Sequence, residues 1–121
     1  MRIFKNKWFA RFADKEGITD SDLKEVAARL EADQADVDLG GDVYKMRLAR
    51  PGEGKAGGYR VIVFYRNEER TFFVYGFAKA KRRNINEGEL RNYKKDAKVE
   101  LSLTDEQIRD RLRKRTWIEI L

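Results

Sequence analysis

Alternation of apolar and polar side chains dominates the middle of the chain. VYKMRLA (43–49), YRVIVFYR (59–66) and TFFVYGFA (71–78) repeat with a period of two and are rich in β-branched and aromatic residues, which predicts three strands. RIF near the start and WIEIL at the end are weaker strand candidates. RPGEGKAGG (50–58) holds the only proline and four of the nine glycines, so it reads as a loop joining the first two strands. The turn near NEE is ambiguous by one residue. A slip there would carry Arg60 and Arg66 from one sheet face to the other, and the sequence leaves that register open.

Outside the strands the period changes to that of a helix, and one start signal occurs three times: ITDSDL (18–23), INEGEL (85–90) and LTDEQI (103–108). Thr19, Asn86 and Thr104 are caps whose side chains can accept from orphan amides, and Asp22, Glu89 and Gln107 can bond back. Ile18 with Leu23, Ile85 with Leu90 and Leu103 with Ile108 can staple each start. The first helix then places Leu23, Val26, Ala27 and Leu30 on one face, and the second does the same with Leu90, Tyr93, Ala97 and Leu101. NKWFARFADKEG predicts a further short helix, with Trp8, Phe9 and Phe12 as core. The acidic run EADQADVDLGGD (31–42) reads as a solvated linker. Helices, then a meander, then helices predict an α+β fold: a small antiparallel-rich sheet packed with N-terminal and C-terminal helices.

A length of 121 residues predicts a single domain over 1–121. With 41% hydrophobic and 40% charged residues, the chain reads as a folded, heavily charged globule. It has neither cysteine nor histidine, which excludes disulfides, thiolate chemistry, cysteine-based metal sites and the usual general base. No cofactor or metal is expected. No apolar run is long enough to span a membrane, and the charged start lacks a signal-peptide core, so a cytoplasmic protein without a membrane partner is expected.

Charge is the least even feature. Residues 1–42 carry seven cations and ten acids, for −3; residues 43–83 carry eleven and three, for +8; residues 84–121 carry nine and eight, for +1. The central surplus exceeds the net +6 of the whole chain, and cations interleaved with aromatics point to a polyanion site. A merely solubilising charged face is the alternative.

The segment GKAGGYRVIVFYRNEERTFFVYGFAKAKRRNI, followed by ELRNYKKDAK, resembles the RelE/HigB family of type II toxins, in particular its HigB-like branch. The resemblance covers residues 43–103, with GKAGGYR (54–60), GFAK (76–79) and NI (84–85) as its most specific parts, and extends to the termini only in general layout. It implies a small RelE-like α+β toxin of a toxin–antitoxin system. Such a toxin cleaves mRNA on the translating ribosome, inhibits translation, arrests growth, and is neutralised by a cognate antitoxin, here expected to be a helix-turn-helix protein. A ParE-like gyrase poison and a noncatalytic RNA-binding domain of the same fold are the alternatives.

For an endoribonuclease the residues have definite work. A 2′-hydroxyl attacks the adjacent phosphate and the 5′-oxygen departs, so positioned cations stabilise the charge that develops on the phosphoryl oxygens. Arg60, Lys79 and Lys55 match the family's basic positions and are the catalytic candidates. Their bland readings are a surface ion pair and solvated loop lysines. Lys81, Arg82, Arg83, Arg66, Phe77 and Tyr59 are the RNA-binding candidates, with Phe77 the aromatic proposed to stack on a base. Arginine cannot take a proton. The base is therefore sought in Lys55 or Lys79 with a depressed pKa, in a tyrosine, or in a group of the ribosome.

Overall fold

The computed structural model describes residues 1–50, 57–67 and 69–121. Among them the chain runs β1 (Arg2–Asn6), α1 (Lys7–Glu16), α2 (Asp20–Glu31), β2 (Val37–Asp38), β3 (Val43–Arg50), β4 (Gly58–Arg66), β5 (Arg70–Ala78), α3 (Glu87–Glu100), α4 (Asp105–Arg113) and β6 (Trp117–Ile120). The six strands form one sheet ordered β2-β3-β4-β5-β1-β6. Only the β1–β5 pairing is parallel; the rest are antiparallel. This is the expected α+β fold. Among the described residues no helix is long and apolar enough to cross a membrane.

All three start signals form as read: Thr19 with Asp22, Asn86 with Glu89 and Thr104 with Gln107 are complete capping boxes. NKWFARFADKEG forms α1, capped by Asn6 and ended by Gly17 in the left-handed region (φ 71°). Phe9 is fully buried, whereas Trp8 is 39% exposed and lies against Phe12 and Tyr75. The acidic run is more than a linker. Its Val37–Asp38 pairs with β3, and Asp36 bonds to Arg29 and Arg47.

Helices cover both sheet faces. Phe9, Leu23, Val26 and Leu30 of α1 and α2 pack on Met46, Leu48, Val61 and Phe73. Ala97, Leu103 and Ile108, in and around α3 and α4, pack on Ile62, Phe64, Phe72 and Trp117. β4 is therefore buried along nearly its whole length, and its odd and even side chains enter two separate cores. A bulge leaves Val74 without a partner between the pairs Ile62–Tyr75 and Val63–Phe73. The extra residue resets the alternation, so that Phe77 stands on the α3 side opposite Arg60 while Gly76 faces α1.

Candidate functional site

The register that the sequence left open places Arg60 directly across from Arg47 on one side and Phe77 on the other. Its even position directs it to the α3 face, at the end of β4 where Ile62 and Phe64 give way to a polar cleft. Lys45, two residues before Arg47, shares that face by alternation. Beyond Ala78, the amide of Lys79 donates to the Gly58 carbonyl at 3.0 Å, continuing the β4–β5 ladder. The result is a cleft of about 330 Å³ lined by Asp36, Val37, Lys45, Arg47, Arg60, Lys79 and Arg83. Among the described residues, five cations surround one carboxylate.

Arg60 is the most constrained of these cations. Its side chain is held in a residue only 8% exposed, and Nη1 donates to the Tyr59 carbonyl at 3.2 Å. Burial lowers its pKa, the Arg47 charge lowers it further, and Asp36 partly compensates. It still stays protonated at neutral pH. Asp36 lies below the usual carboxylate range: burial pushes it up, but the Arg47 amide and the Arg29 and Arg47 guanidinium groups together pull it further down.

The segment after β5 is pinned in place. Arg82 donates to the Asn84 carbonyl at 2.9 Å, to the Tyr75 hydroxyl at 2.8 Å, and to Glu89, whose carboxylate also caps α3 at the Asn86 amide. The Glu89 hydrogen bond, and then that to Tyr75, raise the Arg82 pKa, and the same ion pair lowers that of Glu89. Lys45 Nζ donates to Asn84 Oδ1 at 3.2 Å, which ties the segment to β3. These contacts carry Lys79 and Arg83 to the rim of the cleft.

The candidates therefore separate. Arg60, Lys79 and Arg83 share the cleft. Lys55 lies outside the described residues. Arg82 is occupied by protein partners. Phe77 is 5% exposed with the Arg82 guanidinium 5.8 Å from its ring centroid, so it is packed rather than presented for stacking. Lys81 lines a separate groove with Trp8, Phe12 and Lys15. Tyr59 points to the opposite sheet face, where its hydroxyl meets Glu16. Arg66 lies at the far end of β4, paired to Asp42 at 3.0 Å.

The sequence reading missed Arg47, Lys45 and Asp36. The first two are polar positions of VYKMRLA, but only the register with β4, which the sequence left open, sets them beside Arg60. Asp36 carried no local signal.

A larger cleft, about 520 Å³, opens at the Arg66 end and is lined by Glu31, Asp33 and Asp42 with Tyr44 and Tyr65. Its three carboxylates against Arg66 make it the wrong sign for a polyanion. Burial, followed by Glu89 and Tyr75, pushes the Tyr93 hydroxyl up to about 12, so Tyr93 is no base at neutral pH. Among the described residues no group of three or more acids converges to hold a metal ion.

No curated protein sequence matches the chain significantly. Residues 1–120, however, match the family described as "RelE toxin of RelE / RelB toxin-antitoxin system". With the basic cleft, the α+β fold and a match over nearly its whole length, this chain belongs to the RelE toxin family of toxin–antitoxin systems.

Proposed function

We propose that the chain is a ribosome-dependent endoribonuclease of the HigB-like branch, acting on mRNA in the cytoplasm and neutralised by a helix-turn-helix antitoxin. The observation that carries the reading is the buried Arg60 guanidinium at the floor of a cleft whose other charges, among the described residues, are four cations and a single carboxylate. A strand-held, partly desolvated guanidinium can bond two phosphoryl oxygens and needs little reorganisation as charge builds on them. The 2′-oxygen gives up its proton as it attacks phosphorus, and the 5′-oxygen gains one as the P–O bond breaks. Lys79 is the cleft residue assigned to proton transfer. Lys55 keeps its assignment from the resemblance alone, and a ribosomal group is the remaining proton carrier.

The test is mapping of new 5′ ends on a defined mRNA translated in the presence of the toxin. Arg60→Ala is expected to lower the cleavage rate by roughly 10² to 10³ while the fold is retained, as for loss of other preorganised charge-stabilising donors. Arg60→Lys keeps the charge but not the fork, and substantial loss is expected there too. Wild-type cleavage by a folded, ribosome-bound Arg60→Ala protein would show that the site is elsewhere.

A further inference from the structure

We propose that Asp36 is a positioning residue, which holds the Arg47 guanidinium beside Arg60 in the phosphate clamp that the ribonuclease reading calls for. The inference deepens the ribonuclease reading and rests on it. Arg47 and Arg60 are exact cross-strand partners on one face, an arrangement in which like charges repel unless anions lie nearby. Asp36 supplies one such anion, and its placement is specific. Asp36 Oδ2 accepts from the Arg47 amide at 2.8 Å and from Arg29 Nη1 at 2.8 Å, while Oδ1 receives Arg47 Nε and Nη2 at 3.3 Å each.

Arg29, reaching from α2, also donates to the Arg47 carbonyl. β2 pairs with β3 only at Lys45 and Tyr44, so at Arg47 the outer edge of the sheet is completed by two side chains instead of a strand. The Asp36 and Arg29 side chains are 12% and 14% exposed, whereas that of Arg47 is 49% exposed. The anchor is thus inside and the guanidinium reaches the cleft. Both Asp36 oxygens are engaged by donors, which suits a holder and not a base. A phosphodiester entering the cleft meets Arg60 fixed by burial and Arg47 fixed by Asp36, each able to bond a non-bridging oxygen.

The experiment compares wild type, Arg47→Ala and Asp36→Asn. Binding to a labelled single-stranded RNA oligonucleotide is followed by anisotropy across salt, and cleavage is followed in single turnovers on ribosomes programmed with a defined mRNA. Arg47→Ala is expected to weaken binding about tenfold, the effect of one charge-assisted contact. It should also flatten the log–log salt dependence by ~0.7, the value for one phosphate on a single strand. Asp36→Asn removes negative charge from the cleft but frees Arg47. Its affinity is expected to stay within about threefold of wild type, while the cleavage rate of the folded protein falls about tenfold or more through lost orientation.

A purely structural Asp36 would lower the folded fraction and leave the rate per folded molecule unchanged, which would overturn the positioning role. If Asp36→Asn does not fold, Asp36→Glu keeps the charge but displaces the carboxylate, and a wild-type cleavage rate there would overturn the positioning role. Arg47→Ala decides the clamp, because it leaves the Asp36–Arg29 pair in place. A wild-type salt slope and cleavage rate in that variant would overturn the clamp. If the wild type binds RNA but cuts nothing, the ribonuclease reading falls, and the binding arm still accepts or rejects the clamp.

Discussion

At the scale of single residues, the segment that leads to the cleft depends on one atom that is absent. A Cβ at Gly76 would lie 2.6 Å from Phe12 Cε2, closer than real contacts allow. Phe12 is held on three sides, its ring 5.3 Å from Trp8, 5.7 Å from Phe9 and 5.9 Å from Tyr59, so it can give way only toward the groove it lines with Lys81. Gly76→Ala is therefore expected to destabilise the protein by about 1–3 kcal/mol, the usual range for overpacking a filled interior. Replacing Phe12 with Leu in the same chain should recover part of the loss. Urea denaturation of the two single variants and the double variant checks this: an unchanged midpoint for Gly76→Ala, or strictly additive losses, would contradict it. GFAK was legible as a motif, but why its glycine is needed was not, because Phe12 lies 64 positions earlier in the sequence.

At the scale of elements, what was legible was local. The capping boxes, the apolar helix faces and the three long strands each follow from residues within one or two turns of each other. The bulge at Val74, the insertion of β1 between β5 and β6, and the anchoring of β3 by Asp36 depend on distant partners and left no comparable signal. The junction of α3 with β6 belongs to this second group, and it makes a pH-dependent prediction. Trp117 Nε1 donates to Glu100 Oε2 at 3.0 Å. Burial raises the Glu100 pKa, the Trp117 hydrogen bond and Arg111 oppose that, and Asp96 adds to it; the net direction is upward. The folded state then holds this proton more tightly than the unfolded chain, so its contribution to stability is complete below the ordinary glutamate range and is lost as pH rises through the raised value. Glu100→Gln keeps an acceptor for Trp117 without the titration. Relative to wild type, its urea midpoint is expected to be higher at pH 7 than at pH 4. An equal difference at both pH values would remove Glu100 as the cause.

At the scale of the whole molecule, the β3–β4 pair has opposite charge at its two ends. Asp33, Asp42 and Glu31 gather near Arg66, while Lys45, Arg47, Arg60, Lys79 and Arg83 gather at the other end. An RNA strand approaching this field is drawn to one end and kept from the other, which orients the toxin before any specific contact forms. The central +8 segment is thus a poor measure of the contact itself. Arg66 is spent on Asp42, Arg82 on Glu89 and Tyr75, and Arg70 on Asp105. Counting the described cations of the cleft instead gives five phosphate contacts. With about 0.7 counterions released per contact on a single strand, the log–log salt slope should be about −3.5, and affinity should fall roughly a hundredfold between about 50 and 200 mM salt. Anisotropy titrations of a single-stranded RNA against salt measure this directly. Arg66→Gln should leave the slope unchanged, whereas Arg83→Gln should reduce it by ~0.7. A flat response, or a slope that follows Arg66 and ignores Arg83, would move the RNA off the cleft and onto another face of the sheet.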